Sequence, residues 1–278
     1  MGHRWLHALV LAVLVVGTGT VAATSFSSGP SPRASAPRLP AQYHAVRIPG
    51  PRPKGIDATT FAQQWSSRNW SGYAITGATY TSVSGSWQVP TVNAPTTHRK
   101  SSRYSATWVG IDGFEPRDGN LIQAGTEQDW VDGTAFYRSW WEILPAAETP
   151  ISSITVHPGD TMVVTITEGS PDWTITVTDS TTGQSFTTMQ RYHGDLSSAE
   201  WIQEAPTVGR RIAKLADDST FAFDDGTADD ANPGLAFSDA GAMVNKNGNV
   251  ISSPSAPDAD TDGFAVAYGP TPPPPPGT

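Results

Sequence analysis

Polar and apolar residues alternate with a period of two along much of the chain after Asn69. Met162, Val164 and Ile166 share one face of a run that ends at the Glu168-Gly169 turn. Trp173, Ile175 and Val177 face one way in the next run, and Thr174, Thr176 and Thr178 face the other. Thr182-Gly183 marks a hairpin turn toward QSFTTMQ, and Phe264, Val266 and Tyr268 form a last strand. No long helical pattern and no internal repeat appears. Many short alternating strands separated by turn signals predict an all-β chain folded as an antiparallel two-sheet β-sandwich.

The stretch from Tyr104 to Glu127 departs from this pattern in an informative way. In WVGID, Trp108, Gly110 and Asp112 share a face, and in LIQAGTE the same count groups Leu121, Gln123, Gly125 and Glu127. A Gly-, Pro- and Asn-containing segment connects the two runs. Trp108, Asp112, Gln123 and Glu127 are therefore expected to line one surface. The alternative is structural, with Trp108 in the core, Asp112 an Asx-type turn former before Gly113, and Gln123 a satisfied strand amide.

The ends read differently. Arg4, an apolar run from Ala8 to Val16 and small residues at Val21 and Ala23 predict a signal peptide over 1–23, too short for a membrane span, with an uncleaved anchor as the alternative. A secreted, extracellular location follows from the first reading. Residues 24–68 are basic and Pro-rich, with too little periodic apolar character to build a core, and read as a propeptide or a spacer. The β-sandwich domain is expected over 69–269, followed by a Pro-rich tail over 270–278.

Charge sharpens the picture. Of 26 acidic residues only Asp57 precedes Asn69, whereas seven of the 17 basic residues do, so the rest of the chain carries 25 acidic against 10 basic side chains. Such a domain repels nucleic acid and anionic membranes, and it suits acid, where protonation removes its self-repulsion. The absence of cysteine excludes disulfides and thiolate chemistry. The six histidines are scattered without metal-ligand spacing, and Asp258, Asp260, Asp262 and Gly263 open a calcium-loop pattern that Gly269 and a following strand fail to complete. That segment reads as a turn into the last strand. No G-x-S-x-G elbow and no Asp-Thr-Gly or Asp-Ser-Gly triplet occurs, and Asn69-Trp70-Ser71 is a formal glycosylation sequon.

Together with SWWEILP at 139–145, AEWIQEAP at 199–206 and the NWSGYAITGATYTSVSGSWQVP opening at 69–90, the Tyr104–Glu127 stretch resembles the glutamic peptidases, the eqolisin family of acid proteases. The resemblance spans most of Asn69 to Gly269 and implies the concanavalin-like version of the sandwich. It also implies a basic propeptide that inhibits the enzyme until acid releases it. Carried over by motif, Gln123 is the donor to the developing oxyanion and Glu204 the general base and acid, while Trp108, Asp112, Glu127 and Glu142 are cleft residues. Glu200 rivals Glu204, because an extended AEWIQEA puts both carboxyls on one face. Glu127 stands where an aspartate is expected. A glutamine amide does not titrate, so its donor survives strong acid. No metal or cofactor is implied, the partners are protein or peptide substrates and the chain's own propeptide, and a monomer is expected. The competing reading is a carbohydrate-binding or glycoside-hydrolysing β-sandwich, with tryptophans stacking on sugars and Glu142 and Glu204 as the carboxylate pair.

Overall fold

A computed structural model describes residues 39–54, 64–98, 100–115, 117 and 119–277. The expected signal peptide and the first part of the basic segment lie outside them. The described chain is nearly all β, and its strands form two antiparallel layers of a sandwich.

One layer runs Gln184–Gln190, Trp173–Asp179, Thr161–Thr167, Ser82–Gln88 and Phe221–Ala228 in spatial order. The other runs Ala240–Val244, Trp70–Thr76, Ser198–Glu204, Ala106–Ile111, Ile122–Val131, Thr134–Ile143 and Thr149–Ile151. Phe264–Tyr268 and Val250–Pro254 carry the ladder from one layer to the other. The alternating runs read from the sequence all form strands, with Thr161–Thr167 and Trp173–Asp179 burying every second side chain. The turn at Thr182-Gly183 closes a hairpin in which Asp179 stands opposite Gln184.

Between the layers lies a core that includes Tyr73, Trp87, Val109, Ile111, Val164, Ile175 and Trp201. Burial of each large apolar side chain contributes about 1.5–3 kcal/mol, and with no disulfide this core carries the stability. The period of two sends the intervening residues to the outer face of the second layer. There Trp70, Trp108, Leu121, Trp140 and Ile202 form a separate cluster around which the polar groups of interest are arranged.

The chain before Asn69 is more integrated than its composition suggests. Trp65–Ser67 joins the second layer, parallel to Gly241–Met243, and Gln42–Tyr43 pairs with Thr207–Val208. Residues 39–54 lie across the outer face, burying the polar side chains of Gln42 and His44 completely. Hydropathy cannot reveal a segment that docks through polar groups. At the other end, Asp258–Gly263 turns into the last strand as expected, bringing Asp258 and Asp262 close to Asp224. Burial, reinforced by repulsion among these acids, raises the pKa of Asp258 and Asp262.

Candidate active site

Four neighbouring strands supply the site. Ala106–Ile111 pairs with Ser198–Glu204 on one side and with Ile122–Val131 on the other, and the last of these pairs with Thr134–Ile143. In this register Glu204 stands opposite Ala106, which stands opposite Glu127, and Gln123 stands directly opposite Glu142. All of these side chains point to the outer face. Gly125 keeps the floor open between them, since a Cβ there would lie 2.1 Å from the Thr107 carbonyl oxygen and 2.6 Å from Trp108 Cβ.

Across this floor runs the segment Gln42–Val46. Gln123 Nε2 donates to the His44 carbonyl oxygen at 2.6 Å and to Glu142 Oε2 at 3.1 Å. Glu142 Oε2 also accepts from the His44 amide at 2.9 Å. One residue on, Ala45 N–H donates to Glu204 Oε1 at 3.1 Å. The peptide group joining His44 to Ala45 is thus held at its oxygen by Gln123 and at its nitrogen by Glu204.

Glu204 is itself fixed from behind. Trp108 Nε1 donates to its Oε2 at 2.9 Å, and the Asn69 amide reaches Oε1 at 3.4 Å. Trp108 packs edge-on against Trp70, whose Nε1 donates to the Ala45 carbonyl at 3.0 Å. Burial pushes the Glu204 pKa up, and the donors His44, Trp108 and Asn69 work against that rise. For Glu142 burial dominates and pushes the pKa up to about 8.

The His44 ring fills the space beyond. It stacks on Trp140 with ring centroids 3.6 Å apart and planes 9° from parallel. Its Nε2 lies 3.2 Å from Glu148 and 3.6 Å from Glu127, and its Nδ1 lies 3.6 Å from Glu204. Burial alone would lower the imidazole pKa, but these three carboxylates raise it well above the ordinary value. Arg138, opposite Glu127 in the ladder, pairs with both Glu127 and Glu148. Burial would raise Glu127, yet His44, Glu148 and Arg138 hold it below the usual carboxylate range. His44, Glu127 and Glu148 are close enough to share a cation, but Arg138 and the imidazole already supply the charge compensation a metal would bring.

The structure therefore brings together Trp108, Gln123, Glu127, Glu142 and Glu204 as the sequence predicts. Asp112 is not among them. It turns away at a positive φ of 70° and accepts hydrogen bonds from Tyr192 Oη at 2.6 Å, Ser197 N at 2.8 Å and Leu196 N at 3.1 Å. Extending the strand alternation to Asp112 fails because the strand ends at Ile111, and the carboxyl binds the distant loop at Tyr192, Leu196 and Ser197 and not its own following backbone as an Asx-type turn would. Glu200 does point to the outer face but stands opposite Gly110, and among the described residues its two buried carboxyl oxygens have no hydrogen-bond partner, on the segment or elsewhere.

Five further residues belong to the site. Arg138 and Trp140 precede Glu142 at the strand period, a spacing that could have pointed to them, and Glu148 follows in the next loop. Asn69 looked like a sequon, but its amide is buried and donates to the carbonyls of Ala45 and Val46. His44 comes from a segment with no sequence tie to the sheet. The site is no open cavity because this segment fills it. A depression of about 250 Å³ lined by Tyr43, Ala45, Val46, Leu144 and Thr207 remains beside it. A larger one, about 470 Å³, lies by Trp87, Pro90, Phe221 and Asp224 and contains none of these groups.

Comparisons with known proteins give the family and the fold. The sequence model of the Peptidase A4 family matches residues 68–268. Aspergillopepsin-2 of Aspergillus niger is 29% identical over 278 residues, covering 90% of this chain and 97% of that protein. Scytalidopepsin B of Scytalidium lignicola is 32% identical over 140 residues, 48% of this chain and 50% of that protein. The crystal structure of scytalido-glutamic peptidase with a transition state analog inhibitor superposes with a TM-score of 0.59 at 23% identity, covering 72% of this chain and 98% of that one. The chain belongs to the Peptidase A4 family, the eqolisins or glutamic peptidases, and is a hydrolase of peptide bonds. The carbohydrate reading is thereby set aside, and with it the sugar-stacking role for Trp70, Trp108, Trp140 and Trp201, which are buried.

Proposed function

We propose that the protein is a secreted acid endopeptidase in which Glu204 is the general base and acid and Gln123 the oxyanion donor. The observation that carries this reading is the placement of the His44–Ala45 peptide group, with its carbonyl oxygen 2.6 Å from the Gln123 amide and its nitrogen 3.1 Å from Glu204. Peptide hydrolysis needs donors where negative charge develops and a proton for the leaving nitrogen. In the proposed reaction Glu204 takes a proton from water as the water oxygen attacks the carbonyl carbon. Gln123 then stabilises the oxyanion, and Glu204 delivers the proton to the nitrogen as the C–N bond breaks. Proton transfer of this kind contributes about a hundred- to ten-thousand-fold, and one oxyanion donor about a hundred- to thousand-fold.

The segment from 24 to 68 acts in this reading as a propeptide whose Gln42–Val46 portion blocks the site. Among the described residues Arg47, Arg52 and Lys54 form no ion pair with a carboxylate, and Arg47 lies over the Phe114 ring, 4.2 Å from its centroid. The blocking contacts are backbone hydrogen bonds and one buried imidazole.

The test is digestion of a denatured protein in acid by the protein after acid activation. Proteolysis should persist in chelator, in thiol and serine reagents and in a pepstatin-type inhibitor, since the proposed pair is an amide and a carboxyl and the sequence has no cysteine, no G-x-S-x-G elbow and no Asp-Thr-Gly or Asp-Ser-Gly triplet. Strong inhibition by any of them would contradict the assignment.

A further inference from the structure

Residues 42–46 lie in the site as an extended strand. Gln42 and Tyr43 pair with Val208 and Thr207 on the hairpin edge, and burial alternates, with Gln42 and His44 fully enclosed and Tyr43 43% exposed. This is how an added strand reads a peptide, main chain for affinity and alternate side chains for specificity. Gln42 Nε2 meets Asp129 at 2.5 Å in one pocket, and the His44 ring occupies the next.

The second pocket is built for a flat cation. Its floor is the Trp140 ring, its far edge the carboxylates of Glu148 and Glu127, and its near edge Glu204. Arg138 pairs with Glu127 and Glu148 from one side, and the His44 imidazole meets both of them and Glu204 from the other. A leucine or phenylalanine side chain there would leave Glu148 without its imidazole partner, and a site built around a polar partner discriminates strongly against its absence.

We propose that the pocket of Trp140, Glu127, Glu148 and Glu204 selects histidine on the acyl side of the scissile bond, and that His44–Ala45 is the first bond the protein cleaves in itself. The proposal rests on the peptidase reading above and adds its substrate preference and its maturation point. Water adds its oxygen to the His44 carbonyl carbon, the C–N bond to Ala45 breaks, and the proton removed from water by Glu204 ends on the Ala45 nitrogen. The products are a carboxyl on His44 and an amine on Ala45. The segment that blocks the site is, in this view, a bound substrate held in register.

Two measurements on the full chain test this. The purified protein is acidified and new N-termini are sequenced through time, and the activated protein is then given matched peptides carrying His, Leu, Phe or Lys before an Ala. Ala45 should be the first new N-terminus, and the His peptide should be cleaved at least about tenfold faster in kcat/KM than the Leu or Phe peptide. Glu148→Gln should shrink the His-to-Leu ratio of kcat/KM, a readout that general destabilisation, which lowers both rates together, would not give. Equal rates for His and Leu, or a first cut elsewhere, overturn the proposal and leave the peptidase reading standing. Cleavage of no peptide sinks both.

Discussion

Gln123 and Glu142 face each other across neighbouring strands, and the 3.1 Å contact from Gln123 Nε2 to Glu142 Oε2 fixes which end of the amide meets the bound peptide carbonyl. With two acceptors around it, the His44 oxygen and Glu142 Oε2, the amide must present its NH₂. Burial keeps Glu142 protonated until a pH of about 8, so in acid it is a neutral carboxyl that orients its neighbour without adding charge beside the oxyanion.

On the proposed reading Glu142 both orients the Gln123 amide and accepts from the N–H of the bound residue, so Glu142→Leu should lower kcat/KM about ten- to a hundredfold, the cost of leaving buried donors without their acceptor. Glu142→Gln, whose amide oxygen accepts the same bond, should recover most of the loss. Steady-state kinetics on both variants separates this from a charge effect, which both would share.

Asp112 should matter to stability and not to chemistry. It accepts bonds from Tyr192, Leu196 and Ser197, so Asp112→Ala strands a buried hydroxyl and two amides and should cost roughly 2–4 kcal/mol. Denaturant melts should show that loss, while kcat of the folded fraction stays near that of the unaltered protein.

Stability should fall as pH rises. Glu142, Glu148 and Asp218 are pushed by burial to about 8, 7 and 7, and Glu200 and Glu204 are also raised. A carboxyl whose folded pKa exceeds its unfolded value contributes fully below the unfolded value and loses that contribution up through the folded one. His44, raised as well, also loses its contribution as pH rises. Glu127, held low, acts oppositely, but only below its unfolded value. Urea unfolding should therefore give a maximum near pH 4 and a steady decline to pH 8. Glu200→Gln, which removes a carboxyl with no hydrogen-bond partner, should flatten that decline. A curve that rises from pH 4 to 8 would contradict this assignment.

A peptide spanning 39–54 should inhibit the activated protein with weak salt dependence. Among the described residues Arg47, Arg52 and Lys54 form no ion pairs, and the pairs His44 makes with Glu127, Glu148 and Glu204 are buried and poorly screened. Replacing His44 by Ala in the peptide should weaken inhibition more than replacing Arg47, Arg52 and Lys54 together.

Much of this site was legible because strand alternation is a local property. Trp108, Gln123 and Glu204 each point outward by a count of two from buried neighbours, and their motifs place them on adjoining strands. The count breaks at Asp112, where the backbone leaves the strand at positive φ, a change that no periodicity announces. His44 was equally hidden, since only the folded chain brings residue 44 beside residues 127, 148 and 204. The segment around it lacks an apolar pattern because its docking is by hydrogen bonds.

In the proposed mechanism Gln123 and Glu204 act together on one peptide bond, which is tested most directly by kcat/KM in acid for Glu204→Gln, Gln123→Ala and Glu200→Gln, each checked for folding by melting. Glu204→Gln should abolish turnover, Gln123→Ala should lose about 2.7–4 kcal/mol of transition-state stabilisation, and Glu200→Gln should remain close to the unaltered protein. A folded Glu204→Gln protein that still cleaves beside an inactive Glu200→Gln would move the acid four residues upstream, and full activity in Gln123→Ala would contradict the amide–carboxylate mechanism.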